Sequence, residues 1–319
     1  MSALDQAGTP GRILVVDVGG TNVKFGLAID ACPAEYVRLF PTDALRTEDP
    51  VGSLAAMVDA VIAETGIAPD LVVSTVPGFL DTDEDRVLFA GNVQELNGLR
   101  LATELGARVG IPVILERDSV LALVGETLAG VGRGVNSVLG LFFGTGVGAA
   151  FIEGGRPFRG AGWALEIGHM PFKGEGRRFE GMRTDSLESY VSGRALQEIA
   201  GRHAVPIESV FVDAAGNAEL GRETFAFLRD QAFAVGTAVA LFSPEVIILG
   251  GGVCVMPAFP RDCLARLIEV NSPFAETGRP MDLRWAELGW KSVLHGAPHA
   301  ATEHSRRQSE PLGPRSMLR

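Results

Sequence analysis

The sequence predicts a two-domain α/β protein, and three observations carry that prediction. Short apolar runs rich in valine, isoleucine and leucine alternate with stretches of helical spacing. Glycines gather at the ends of those runs, as strand-to-turn junctions require. At 319 residues and 46% hydrophobic, the chain is long and apolar enough to bury two sizeable cores. A unit of strand, glycine turn and strand also occurs twice, about one domain length apart, as a weak repeat of structure rather than of sequence.

Taken in order, residues 13–17 read as a buried strand closed by Gly19-Gly20-Thr21, and 23–29 as the return strand of a hairpin. Residues 50–65 have helical spacing and good helix formers. Residues 71–74 read as a strand closed by Pro77-Gly78, 101–109 as a short helix and 112–115 as a strand. A helix is expected from Ser119 to about Ala129. The second hairpin joins 137–143 to 147–152 through Gly144-Thr145-Gly146, with Glu153-Gly154-Gly155 as a tight turn. A long helix is expected over about 221–241. Pro244 then precedes a buried strand, 246–249, that ends in Gly250-Gly251-Gly252. Residues 306–319 are polar and contain two prolines, and a disordered tail is expected from 307.

Composition excludes several classes. Asp plus Glu (39) exceeds Lys plus Arg (28), the net charge is -11, and no Lys/Arg run overrides it. General nucleic-acid binding is therefore not expected, although a local cationic pocket for one phosphorylated ligand stays open. The first twelve residues lack the basic start and apolar core of a secretory signal. The longest apolar run, around 135–152, is broken by four glycines, so no membrane partner is expected. Cys32, Cys254 and Cys263 are few, odd in number and far apart, which argues against a disulfide framework and for a reducing cytoplasm.

Five motifs carry candidate chemistry, and each has a plain structural reading beside the functional one. Asp17-Val18-Gly19-Gly20-Thr21-Asn22-Val23-Lys24 places a carboxylate at a strand end, able to hold Mg²⁺ or its waters, ahead of glycines that let backbone N–H groups approach phosphate. Thr21 and Asn22 add side-chain donors. No Walker loop is present, and a hairpin turn that needs glycine explains this motif equally well. Gly144-Thr145-Gly146 offers the same donors, or is a plain β-turn. Together the two turns could clamp a triphosphate from both sides. Glu116-Arg117-Asp118 ends a strand just before a helix, where Asp118 could accept a hydroxyl proton during phosphoryl transfer or simply cap the helix. Glu166 and His169, with Glu188 further on, are good partners for vicinal sugar hydroxyls. Read singly, His169 is a core histidine and Glu188 a solvated helix residue. Gly250-Gly251-Gly252 suits close approach of adenine and ribose, or a tight turn.

The order of these motifs resembles the ROK family of sugar kinases. The family's Asp-x-Gly-Gly-Thr-x-x-Lys-x-Gly-Leu is met from Asp17 to Leu27, and its Gly-Thr-Gly-x-Gly from Gly144 to Gly148. Its Glu-x-Gly-His is met from Glu166 to His169, and its Pro-Glu-x-x-x-Leu-Gly-Gly-Gly from Pro244 to Gly252. These matches span nearly the whole chain in order. The resemblance implies the actin-like, hexokinase-like (ribonuclease H-like) two-domain ATPase fold with a central cleft that closes when sugar binds. A small domain would take residues 1–118 with about 296–306, and a large domain 119–295. Family repressors carry an added N-terminal DNA-binding domain. Here the first strand starts almost at once, so the kinase branch is expected. Arg117 where Asn is usual, the stretch from Val255 to Arg261 and Phe211-Val212-Asp213 resemble the members that act on D-allose.

By resemblance the reaction is MgATP plus an aldohexose, D-allose first with glucose or N-acetylmannosamine as alternatives, giving the 6-phosphate with Asp118 as catalytic base; a non-catalytic sugar sensor that kept the fold is the alternative from another class. Asn92, Glu166, His169 and Glu188 would hold sugar hydroxyls. Gly20, Thr21, Lys24, Thr145 and Gly146 would surround the phosphates, and Gly251 and Gly252 would border adenosine. A homodimer is implied as well.

There are two departures. The family holds a structural zinc through this histidine and Cys-x-Cys-Gly-x-x-Gly-Cys-Leu-Glu. The spacing here is unchanged, but the cysteine positions hold Phe179, Gly181 and Ser186. Ligand spacing without ligand chemistry makes no tetrahedral Zn–S site, so no zinc is expected, with Phe179 packing into that space. Arg117, a pure donor, is open to two readings: it tunes selectivity at the sugar's C3 or C4 hydroxyl, or it pairs with Glu116 or Glu126.

Overall fold

The computed structural model describes residues 10–76, 78–81, 85–91, 93–179 and 182–309. The chain forms two compact units. One takes the chain up to Leu121 and again from Val293, and the other runs from Ala122 to Ser292.

In the first unit, β1 (Arg12–Val18), β2 (Asn22–Ile29) and β3 (Cys32–Pro41) form an antiparallel meander. Helix α1 (Pro50–Thr65) leads to β4 (Leu71–Thr75). A small hairpin, β5 (Phe79–Asp81) with β6 (Arg86–Phe89), and helix α2 (Leu101–Val109) lead to β7 (Val113–Glu116). The sheet order is β3-β2-β1-β4-β7, with β1, β4 and β7 parallel. Helix α1 begins because Asp49 accepts the Gly52 N–H at 2.9 Å and Pro50 occupies its first turn. Its Leu54, Val58 and Val61 join Leu101 and Leu105 of α2, and Leu14, Val16 and Val72 of the sheet, in one core.

Helix α3 (Asp118–Leu128) begins one residue before Ser119, and the division between the units falls inside it. The second unit continues with β8 (Ser137–Phe143), β9 (Val147–Glu153), β10 (Arg156–Pro157), α4 (Glu188–Val191), α5 (Gly193–Arg202), α6 (Val210–Asp213) and α7 (Ala218–Phe242). After these come β11 (Val246–Gly250), α8 (Arg261–Val270), α9 (Phe274–Thr277) and β12 (Leu283–Trp285). Its sheet order is β10-β9-β8-β11-β12, with β8, β11 and β12 parallel. Each unit thus repeats one plan: a hairpin whose first strand pairs in parallel with the strand that follows a helix.

One feature escaped the sequence reading, and one expectation needs correction. Helix α7 is long and apolar enough, by length and composition, to cross a membrane, which a search for unbroken apolar runs overlooks. Its Leu220, Phe227, Leu228, Val235 and Val239 instead belong to the core of the second unit. The last helix, α10 (Lys291–Ser309), passes through the residues expected to begin a disordered tail; residues 310–319 lie outside the described residues. Pro298 inside α10 hides it from a helix search.

Candidate active site

In the first unit, parallel pairing sets Asp17 of β1 beside Thr75 of β4, and Thr75 beside Glu116 of β7. Three strands therefore end in one polar row at their carboxyl edge, where open α/β sheets bind ligands. The Thr75 hydroxyl, fully buried, donates to Asp17 Oδ1 at 2.6 Å. Lys24 stands opposite Asp17 on β2. Burial, and then the charge of Asp118, push the Asp17 carboxyl up to about 6, against the Thr75 hydrogen bond and Lys24. The two carboxylates thus share one electrostatic site.

Asp118 is itself exposed, although Glu116, Arg117 and Ser119 around it are buried. Its Oδ1 accepts the Ser119 N–H at 2.7 Å, which aims the carboxylate from the first turn of α3. The Arg117 guanidinium donates to Ser119 Oγ at 3.3 Å, and its backbone N–H to Glu116 Oε1 at 2.9 Å. Glu126, weighed as an ion-pair partner, accepts backbone N–H groups of Val131, Glu287 and Leu288.

The Gly19-Gly20-Thr21 turn is braced by buried Thr42, which sequence reading did not single out. The Thr42 hydroxyl donates to Gly19 O at 2.8 Å, and its N–H to Thr21 O at 3.0 Å. A Cβ at Gly19 would lie 2.8 Å from Asn22 O. Thr21 and Asn22 are exposed at the turn.

In the second unit, Gly144-Thr145-Gly146 joins β8 to β9 and rests on the start of α5, where Gly193 donates to Gly144 O at 2.7 Å. Glu188, the first residue of α4, is only partly exposed. Its Oε2 accepts the Val147 N–H at 2.9 Å. A Cβ at Gly146 would lie 2.5 Å from that oxygen, and one at Gly168 3.2 Å from it. Glu188 therefore sits against both the glycine turn and the single helical turn Ile167–His169 that follows Glu166. Burial, helped by Arg183, holds His169 below the usual imidazole range, so it works as a neutral donor and acceptor. Leu165, just before Glu166, has φ 64, a left-handed conformation costly for leucine. Gly251 follows β11 at φ 93, with no room for a Cβ against the Phe143 backbone, and Gly252 follows it. Asn92 lies outside the described residues.

The donor set does not suit zinc. Phe179 packs against the core of the second unit, and Ser186 Oγ is engaged with Ser189 Oγ at 3.2 Å. Within the first unit, the Gly19-Gly20-Thr21 turn and Asp17 do suit a metal-bound phosphate, with backbone donors at glycines and a carboxylate at the end of the preceding strand.

Two sheets of one plan, each ending in a glycine turn beside carboxylates, define the class of two-unit α/β phosphotransferase-like proteins. The profile of the ROK family matches residues 13–303, and the chain belongs to that family. An N-acetyl-D-glucosamine kinase from Vibrio parahaemolyticus is 30% identical over 252 residues, 74% of this chain and 83% of that protein. A ROK family glucokinase from Streptomyces griseus, solved with glucose and AMPPNP, superposes with TM-score 0.77 at 25% identity over 92% of this chain and all of that one. A ROK hexokinase from Thermus thermophilus superposes with TM-score 0.75 at 25% identity, over 93% of this chain and 99% of that one.

Proposed function

We propose that this protein transfers the γ-phosphoryl group of ATP to the 6-hydroxyl of an aldohexose. The observation that carries the reading is Asp118, an exposed carboxylate set among buried neighbours at the carboxyl edge of three parallel strands, close enough to Asp17 to raise its pKa. Asp118 accepts the 6-hydroxyl proton, the freed oxygen attacks the γ-phosphorus in line, and the bridging oxygen leaves with ADP. Asp17 would hold Mg²⁺ through water, which neutralises phosphate charge when bound. Gly19, Gly20, Thr21, Asn22 and Lys24, with Gly144, Thr145 and Gly146, would hold the phosphates. Gly251 and Gly252 would border adenosine. Glu166, His169 and Glu188, with Asn92, would hold sugar hydroxyls. The cysteine usage supports a cytoplasmic setting, and the resemblance supports a homodimer.

D-allose is the proposed sugar, on the buried Arg117 beside the base and the other resemblances to allose-acting members. N-acetyl-D-glucosamine is the second reading, favoured by the Vibrio relative.

An ADP-release assay over allose, glucose, mannose, fructose, N-acetylglucosamine and N-acetylmannosamine tests both readings. Asp118→Asn should lower turnover on the best sugar by about 10²–10⁴-fold while sugar binding survives. Near wild-type turnover in that variant would remove Asp118 from the chemistry. No ADP with any sugar would leave a sugar sensor that kept the fold.

A further inference from the structure

The segment in which the family pattern places zinc-binding cysteines carries one carboxylate, Asp185, that organises the loop just before it. Asp185 Oδ1 accepts the backbone N–H groups of Glu175 at 3.2 Å and Arg177 at 3.0 Å, and Oδ2 that of Gly176 at 3.1 Å. The Tyr190 hydroxyl donates to Oδ1 at 2.5 Å. The main chain of the same residue is also engaged: Asp185 O accepts from Phe172 N at 2.9 Å, and Asp185 N donates to Arg177 O at 2.7 Å. One residue therefore closes the whole 172–177 loop. These donors hold the Asp185 carboxyl below its usual range, led by the Tyr190 hydroxyl, and burial with the Asp185 bond pushes Tyr190 up to about 12.

Other contacts converge on the loop. The Lys173 ammonium lies 5.2 Å, and the Arg177 guanidinium 4.8 Å, from the centre of the Tyr190 ring. Lys173 reaches buried Asp230 of α7 at 2.5 Å, and Arg177 reaches Glu198 of α5 at 2.6 Å. The loop is thus tied to two helices as well as to Asp185.

This clamp borders the sugar-binding residues on both sides. Pro171 bridges to Ser186, and the Leu187 N–H donates to Met170 O at 2.9 Å. That short antiparallel contact joins the segment just after His169 to the segment just before Glu188. Asp185 sits at its end with φ 56, a conformation that aspartate tolerates better than most residues and that glycine adopts freely. The family pattern has glycine at this position, between its second and third cysteines.

We propose that Asp185 is a positioning residue: its carboxylate holds, without a metal, the loop that fixes His169 and Glu188. The proposal rests on the sugar-binding roles given to those two residues above. Asp185→Gly removes the carboxylate and keeps the backbone conformation, so it separates the clamp from the turn. It should raise the sugar KM by about 10-fold or more, the size of loss seen when an orienting hydrogen-bond partner is removed, while the ATP KM stays within about twofold. Asp185→Asn, which keeps an acceptor, should fall in between. A sugar KM for Asp185→Gly within about twofold of wild type overturns the clamp.

Hydrogen exchange keeps the proposal testable if no sugar is turned over. Amides 175–177 should lose about tenfold or more of their protection in Asp185→Gly, and less in Asp185→Asn. Unchanged exchange in both variants overturns the clamp whatever the enzyme does, as does stoichiometric zinc in metal analysis of the purified protein. Should Asp185→Gly not fold, the Asp185→Asn exchange measurement decides alone.

Discussion

Thr75 donates its hydroxyl to Asp17 Oδ1 at 2.6 Å across two strands that place the residues side by side. This bond partly offsets two opposing effects, burial and the neighbouring Asp118, that lift Asp17 from 3.8 to about 6. A raised carboxyl pKa means that the folded state holds the proton more tightly than the unfolded chain does. The resulting stabilisation is fully present below about pH 4 and lost as pH rises through about 6. At neutral pH, ionised Asp17 then costs up to about 3 kcal/mol, since each pKa unit is about 1.4 kcal/mol.

Asp17→Asn should therefore melt higher than wild type at pH 7.5 without ligands, by on the order of 5 °C. The gap should close as the pH approaches 4. The same variant should lose about 10²-fold or more of any Mg²⁺-dependent phosphoryl transfer. Melting curves across pH and the ADP-release assay check the two halves. A variant that melts lower at pH 7.5 contradicts the electrostatic account.

Gly146 leaves room for Glu188. A methyl group there would lie 2.5 Å from Glu188 Oε2 and would push the carboxylate off the Val147 N–H. Gly146→Ala should raise the sugar KM by about 10-fold with the fold intact. At Gly144 a Cβ meets nothing within 4 Å. Gly144→Ala should leave the sugar KM where it is, and steady-state kinetics on both variants read the contrast.

Adjacent glycines after β11 should differ sharply in stability. Gly251 has φ 93, and its Cβ would collide with the Phe143 backbone, which cannot swing aside. Gly251→Ala should cost more than about 2 kcal/mol. Gly252 has open space around it, and Gly252→Ala should stay within about 0.5 kcal/mol. Denaturant unfolding of the pair tests this, and equal losses would contradict it.

Glu126 holds two segments of the second unit against α3. Its fully buried carboxylate accepts Glu287 and Leu288 N–H groups at 3.0 Å each and the Val131 N–H at 3.2 Å. Glu126→Ala would orphan those donors and should cost about 3 kcal/mol or more, while Glu126→Gln, which keeps one acceptor, should lose less. Thermal unfolding distinguishes the two.

Much of the fold was legible because its signals are local. Helices α1 and α2 and strand β8 fall at the expected residues, since apolar runs there are bounded by Pro, Gly or a capping Asp. Strand β3 escaped because it is a mostly exposed edge, where Glu35 and Arg38 stand among apolar residues without a clean alternation. Helix α10 escaped through Pro298, and the membrane-like character of α7 through its interspersed charges.

The candidate site divided along the same line. Asp17, Asp118 and both glycine turns could be named because a strand end and a turn are written in a few consecutive residues. Thr42 and Thr75 carried no such signal, as each acts on a residue far along the chain, Gly19 and Asp17 respectively. Glu188 read singly as a solvated helix residue, and its bond to Val147 spans 41 positions.

The sequence by itself determined the strand–turn–strand plan, its repetition, the carboxylates at the strand ends and the loss of the cysteine ligands. These are properties of propensity and residue chemistry within short windows. Only the tertiary structure decided that Asp17, Thr75 and Glu116 stand in one row, that Asp118 stays open to solvent among buried neighbours, and that Asp185 gathers a loop around itself. Those facts depend on register between distant strands and on side chains capping remote backbone groups. Both are fixed when long loops close, and no local pattern encodes that closure.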